Sequence, residues 1–376
     1  MPFLYWHPRF WKMIDWWLYP IVFALVAIGF LVISSASPDV RREVTMQAVA
    51  LVLGMLTWVV LALLDYTELK GLTWWVYGFN VLILLLVVFF GVDVNGNKNW
   101  LDLGVARFQP SELAKILLII TLARQLDSME RLRSWFDLAL PIAHVLPIFG
   151  LVVAQGDFGT ALVFIAISVV MVYAAGFPGW KIASVAILGA ALVVGVVYSH
   201  YNYGTMFPLQ TPERWERIDT FLYPEKDPTN GGWQVIQSKM AIATGDVWGK
   251  GYKQGERHQN DWLPFPQTDF AFATLVEEWG FVGGATTLGL FVLLFYRLAA
   301  IGFGARERYG SLITMGVLAM FAAHVVENVG MTMGVTPVTG IPLPFISYGA
   351  TALLANVIAI GLVQSVASRR EPVQFD

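Results

Sequence analysis

Apolar runs of about twenty residues, separated by short polar connections, recur along almost the whole chain. A helix needs ~20 mostly apolar residues to cross the hydrocarbon core of a bilayer. Runs of that kind lie at 19–36, 45–64, 73–92, 111–126, 135–154, 160–176, 181–199, 270–302, 310–332 and 348–368. The pattern predicts an all-α integral membrane protein of about ten transmembrane helices, folded as a single polytopic domain over 1–376. One connection stands apart: residues 200–268, between the seventh and eighth helices, are too long to be a simple turn.

Charge orients these helices. With the amino terminus inside, the inner tails and short loops carry Arg9, Lys12, Lys70, Arg124, Arg131, Arg133, Lys181, Arg297, Arg306, Arg308, Arg369 and Arg370, against Arg41, Arg42, Lys98 and Arg107 outside. The positive-inside bias, counted over short loops, then puts both termini in the cytoplasm and residues 200–268 outside. The first run ends in Ser35-Ala36-Ser37, which resembles a signal-peptidase site, but the aromatic leader and nine later runs favour an uncleaved anchor.

In the long connection Trp215, Trp233, Trp248 and Trp262 alternate with Arg214, Arg217, Lys239, Lys250 and Lys253, and Pro208, Pro212, Pro224 and Pro228 interrupt any long helix. Either an ordered interfacial lid or a disordered loop with tryptophans at the headgroups has this composition. Within it, 234–243 reads as an amphipathic helix.

Composition narrows the function. The chain is 57% hydrophobic and 14% charged with a net charge of −3, and its mean hydropathy is +0.62. No basic stripe interleaved with aromatics is present, so nucleic acid is not an expected partner. With no cysteine, disulfides, thiolate metal sites and cysteine nucleophiles are excluded. There is also no His-Glu-x-x-His, Walker loop, Gly-x-Ser-x-Gly or Ser-x-x-Lys.

Ionisable residues within apolar runs are expensive and are functional candidates for that reason. In the fourth run, Pro110 and Ser111 open a helix, and Glu112 and Lys115 share a face three residues apart, as an internal ion pair or as charges lining a cavity. Asp157 stands where a helix N-cap belongs. His324, Glu327 and Asn328 share a face of the ninth run, a spacing better suited to buried hydrogen bonding than to a metal. Residues 336–349 are apolar but carry Pro337, Pro342 and Pro344. They predict an outer hairpin or a segment dipping inward, since irregular backbone at membrane depth survives only against protein or a watery cavity. Asp269 opens the eighth run as an N-cap or first-turn acid and should be ionised at neutral pH. Facing a cavity, such a carboxylate can act as a base.

These motifs together resemble the SEDS family (shape, elongation, division and sporulation) over nearly the whole chain. The strings that carry the resemblance are Asn95-Gly96-Asn97-Lys98, Trp100-Leu101-Asp102-Leu103-Gly104, 107–115, Asp157-Phe158-Gly159-Thr160-Ala161, Gln237-Ser238-Lys239, Trp248-Gly249-Lys250-Gly251, Thr268-Asp269-Phe270, Glu277-Glu278 and 342–349. The wording of 100–112 is closer to the family's elongation branch than to its division branch.

The resemblance implies a peptidoglycan glycosyltransferase that polymerises lipid II at the outer face of the bacterial cytoplasmic membrane. Its implied partners are a class B penicillin-binding protein, acting as transpeptidase, and other membrane proteins of the elongation complex. The family's essential acid falls on Asp269, and its cavity residues on Trp100, Glu112, Lys115, Gln237, Lys239 and Ser347. A histidine usually precedes Thr-Asp in the family, whereas Gln267 stands here, which puts any role for that imidazole in doubt.

The implied chemistry is removal of a proton from a sugar 4-hydroxyl by Asp269, followed by inverting attack on an anomeric carbon and loss of undecaprenyl diphosphate. Lys115, Lys239 or a divalent cation (Mg2+ or Mn2+) could neutralise the leaving group, and no metal ligand set is legible. A lipid II flippase is the alternative, since ten helices with internal charges suit it equally. A non-catalytic scaffold ranks last, because it has no use for charges at membrane depth.

The cysteine-free chain makes its topology directly testable. Lys226→Cys is expected to react with a membrane-impermeant thiol reagent in cells with a permeable outer barrier, and Arg306→Cys is not; the reverse labelling overturns the assignment.

Overall fold

The computed structural model describes residues 14–94, 97–102, 104, 107–203, 212–227 and 231–370. Outside the described residues lie Arg9, Lys12, Asn95, Gly96, Leu103, Pro208 and Pro228, and the side chains of Asn97, Pro212, Arg214 and Arg217.

The apolar runs form helices. In chain order these are α1 (Leu18–Ala36), α2 (Val40–Leu63), α3 (Leu69–Phe90), α4 (Pro110–Asp127), α5 (Ala139–Ala154), α6 (Phe158–Ala174) and α7 (Gly179–Tyr203). After the long connection come α11 (Ala271–Phe303), α12 (Arg308–Thr332) and α13 (Ala350–Ala367). Among the described residues, eight helices are long and apolar enough to cross a membrane. The other two expected spans differ for separate reasons: α4 holds Glu112, Lys115, Arg124 and Asp127, and α6 has 17 residues.

Residues 200–268 are largely helical, with α8 (Pro212–Leu222), α9 (Gly231–Thr244) and the single turn α10 (Glu256–Gln259). The predicted helix over 234–243 lies inside α9. Three short antiparallel strands escaped the sequence reading, β1 (Val92–Val94), β2 (Asn97–Asp102) and β3 (Arg107–Phe108), in the order β1-β2-β3.

Burial ranks the helices. Of the apolar windows in α12 and α13, 72% and 78% are buried, and in α7 none is. Thus α12 and α13 form the centre: α12 packs on α4, α6 and α11, and α13 packs on α2. Surface-lying α7 exposes Ile187, Leu188, Leu192 and Val194 to the apolar surroundings.

At the end of the bundle read as cytoplasmic, cations satisfy orphan carbonyls at helix carboxyl ends. Arg308 donates to Met129 O and Ala175 O at 2.6 Å each, and Arg369 donates to Leu63 O at 2.9 Å. Buried Asp15 gathers Arg297 and Arg370. Positive charge at this end therefore does structural work.

At the other end, α11 is broken. Gly280 has φ +67°, ψ −167°, a conformation that a residue with a side chain rarely adopts. The backbone groups left over are paired by the preceding loop: Phe281 N donates to Asp246 O (2.8 Å), Val282 N to Val247 O (3.1 Å), Lys250 N to Glu277 O (3.0 Å) and Gly251 N to Glu278 O (2.9 Å).

This stitching brings two backbones so close that a Cβ at Gly249, itself at φ +80°, would sit 2.1 Å from Glu278 O. Gly249→Ala is expected to cost more than ~2 kcal/mol, since the φ penalty alone is ~1–2 kcal/mol. Gly189→Ala, on open α7, should be neutral or stabilising. Thermal unfolding in detergent checks the contrast.

Candidate functional site

Asp269 stands immediately before α11, where the long connection re-enters the bundle. The N-cap position of α11 belongs to Phe270, and no side chain caps that helix. The expected capping role therefore gives way to a different arrangement, in which the backbone around Asp269 is held by buried side chains. Asn328 Nδ2, on α12, donates to Asp269 O at 3.0 Å and to Ile341 O at 2.8 Å. Ser347 Oγ donates to Thr268 O at 2.5 Å and accepts from Leu343 N at 2.9 Å. Tyr348 N donates to Gln267 O at 2.8 Å.

The proline-bearing stretch thus runs beneath Asp269 as buried irregular backbone. Leu343, Phe345, Ile346 and Ser347 are all buried, which agrees with a segment that dips inward.

The Asp269 side chain is half-buried, with its Oδ2 near Gly340, where a Cβ would lie 3.6 Å away. Burial pushes its carboxyl up to about 6, and a hydrogen bond with Thr268 opposes the shift. The direction is opposite to the lowering expected of a helix amino terminus, because the carboxylate does not cap the helix. At pH 7 it remains mostly ionised. Such a value places a carboxylate near the operating pH of a general base.

Glu112 and Lys115 pair as their spacing implied, with Lys115 Nζ 2.8 Å from Glu112 Oε1 and both side chains buried. A third member joins them from α12: His324 Nε2 lies 2.7 Å from Lys115 Nζ, while His324 Nδ1 lies 2.6 Å from Met320 O. If Nδ1 donates to that carbonyl, Nε2 is free to accept from the ammonium, and the imidazole is neutral. One turn further along α12 is Asn328. A single helix face thereby joins the Glu112–Lys115 pair to the segment carrying Asp269.

Asp157 is the N-cap of α6, accepting from Thr160 N at 3.0 Å, as expected. Its second oxygen accepts from Asn99 Nδ2 at 3.0 Å and Gln109 Nε2 at 3.2 Å. These bonds tie β2, and half-buried Trp100 on it, to the start of α4.

The remaining candidates sit elsewhere. Gln237, on α9, is buried and accepts from Arg257 Nη1 at 2.9 Å. Lys239 is exposed, and its stem crosses the turn at Gly334, where a Cβ would lie 2.0 Å from Lys239 Cε. Among the described residues, no hydrogen bond or ion pair joins Trp100, Gln237 or Lys239 to Asp269.

Next to Gln237 lies a charged cluster that the sequence showed only as the pair Glu277-Glu278. His258 is wedged between them, with Nδ1 3.6 Å from Glu277 Oε2 and Nε2 3.3 Å from Glu278 Oε1. Burial would lower the imidazole, but the adjacent carboxylates of Glu277 and then Glu278 outweigh it and lift His258 to about 9. An imidazolium therefore sits between two buried carboxylates. Lys250 Nζ adds a contact of 3.4 Å to Glu277, and Ser35 on α1 donates to Glu278. Among the described residues, no group of three or more His, Asp or Glu is placed to hold a metal ion.

Residues 16–371 match the family model of the FtsW, RodA and SpoVE cell cycle proteins. The chain is similar to the peptidoglycan glycosyltransferase RodA of Treponema pallidum, 34% identical over 95% of this chain and 98% of that one. It is also similar to the peptidoglycan glycosyltransferase MrdB of Escherichia coli K12, 32% identical over 93% and 92%. A solved chain from a peptidoglycan synthase complex, described as coordinating polymerization and crosslinking, superposes with a TM-score of 0.80 at 38% identity, covering 95% of this chain and 98% of that one. The rod shape determining protein RodA of Thermus thermophilus gives 0.70 at 33% identity over 96% and 98%.

The ion pair yields a stability test. Glu112→Gln leaves the Lys115 ammonium buried without its carboxylate and is expected to cost ~3–5 kcal/mol. Glu112→Gln combined with Lys115→Met should recover part of that loss. Thermal unfolding of the single and double variants in detergent measures the difference.

Proposed function

The chain belongs to the FtsW, RodA and SpoVE family of cell cycle proteins and is a multi-pass membrane peptidoglycan glycosyltransferase; from this premise we propose that it polymerises lipid II at the outer face of the bacterial cytoplasmic membrane during elongation. The observation that carries the reading is Asp269, a carboxylate at a helix entrance that does not serve as a cap, raised to about 6 by burial and fixed through its backbone by Asn328.

In this mechanism Asp269 accepts the proton of a sugar 4-hydroxyl on one lipid II. The freed oxygen attacks the anomeric carbon of a second molecule, with inversion, and its bond to undecaprenyl diphosphate breaks. Gln267 cannot shuttle a proton as an imidazole does, so the base role rests on Asp269. The Gln267 Oε1 is a buried acceptor without a hydrogen-bond partner among the described residues, available to orient a substrate hydroxyl.

Lys115 is buried, with Glu112 and His324 as its partners. Its role in this reading is to fix α4 against α12 rather than to meet the diphosphate. Exposed Lys239 is the better cation for the leaving group. A divalent cation that takes part would arrive with the diphosphate it neutralises, as Mg2+ commonly does, because the described residues form no cage for one.

The polymerase would leave its strands uncrosslinked, since the chain has no Ser-x-x-Lys. A class B penicillin-binding protein and other elongation-complex membrane proteins are the partners this requires. The synthase complex whose chain superposes on this one, described as joining polymerization to crosslinking, supports that pairing. Both termini then lie in the cytoplasm.

Purified protein incubated with lipid II in detergent is expected to make glycan strands, and Asp269→Asn should lower the rate at least ~100-fold while preserving the fold, as loss of a general base costs ~10²–10⁴. The base must be ionised, so wild-type kcat/KM should fall as pH drops through about 6. Near wild-type polymerisation by Asp269→Asn, where no membrane has to be crossed, would overturn the assignment.

A further inference from the structure

The hydrogen bonds that place Asp269 begin on a helix far from it in sequence. Gln47 lies on α2 within an otherwise apolar run and is 1% exposed. Both ends of its amide meet the turn beneath the site: Nε2 donates to Ser347 O at 3.4 Å, and Oε1 accepts from Gly349 N at 3.2 Å. Between those two contacts the turn makes both of its own contacts to the segment before Asp269. Ser347 Oγ donates to Thr268 O, and Tyr348 N donates to Gln267 O.

The turn needs holding. Phe345 is buried with φ +66°, the left-handed region, which costs a side-chain-bearing residue ~1–2 kcal/mol. Relaxing that strain is opposed by Ser347 within the turn and by Gln47 from outside. A buried primary amide suits the task, because it donates to a carbonyl and accepts from an N–H two residues further on without adding charge.

We propose that Gln47 is a positioning residue for glycan polymerisation: by clamping Ser347 and Gly349 it fixes the turn from which Gln267 and Thr268 hang, and so sets the carboxylate of Asp269 against its substrate. The inference rests on the functional reading above and adds to it a residue that never meets the substrate. A displacement of about 1 Å at a reacting group can cost ~100-fold in rate, so a loosened turn is enough to be felt.

The test is Gln47→Met, which keeps the length and removes both hydrogen bonds, in the full-length protein with lipid II in detergent. Expected are a fall in kcat of at least about tenfold, a KM within about twofold of wild type, and faster amide exchange confined to 265–269 and 343–349, with 231–244 unchanged. Gln47→Glu retains the acceptor for Gly349 N and should lose less; if Gln47→Met does not fold, the expected outcome for Gln47→Glu is a fall in kcat of about twofold or more at unchanged KM with faster exchange at 265–269, and wild-type kcat overturns the assignment.

Unchanged kcat with an active wild type overturns the assignment to Gln47 and leaves the polymerase reading intact. A lower yield of folded protein with wild-type kcat and wild-type exchange at 265–269 shows a purely structural residue and also overturns it. A wild-type protein that makes no strands overturns the functional reading and this inference together.

Discussion

Inside a bilayer every backbone N–H and C=O must find a partner within the protein, and this chain departs from helix at two places where that demand is hardest to meet. One is the proline-bearing segment that ends in the turn at 343–349, and the other is the break at Gly280. Each departure is supported by hydrogen bonds from another element. Asn328 on α12 and Gln47 on α2 serve the first, and the loop 246–251 serves the second. Asp269 stands eleven residues before the break at Gly280, on the stretch that the turn at 343–349 holds. Its geometry is therefore set by how irregular backbone is satisfied rather than by the helix it precedes.

Charge follows the same rule at higher cost. Three groupings pair buried ions: Lys115 with Glu112 and His324, His258 with Glu277 and Glu278, Asp15 with Arg297 and Arg370. Two of these groupings sit near the candidate site, and the third closes the opposite end. Arrangements of this kind add little net stability over apolar packing, but they are costly to break halfway. They fix which helix faces meet.

Much of this was legible because short-range patterns carry it. Apolar run length gave the helices to within a few residues, i,i+3 spacing gave Glu112–Lys115, and an Asp before a helical run gave the cap at Asp157. What escaped depended on long-range pairing. His324 and Asn328 were visible as one polar face, but their partners lie on other elements. Gln47 is a lone amide in an apolar run, and its contacts are about 300 residues away. Asp269 was read as a cap from its neighbours alone, whereas Ser347 and Tyr348 hold the chain before it so that Phe270 takes the capping position. The strands at 92–108 gave no periodic signal, being two to six residues long.

The stitched break in α11 also bears on how the chain enters a membrane. Residues 281–303 follow Gly280 and number 23, enough to cross the hydrocarbon core unaided. Residues 271–279 contain Glu277 and Glu278 and would be poorly tolerated in lipid as an isolated helix. Their counter-charges, Lys250 and His258, precede them in the chain and belong to the connection 200–268. The element therefore divides into a second part apolar enough to anchor alone and a first part whose charge is neutralised only where 250–258 dock against it.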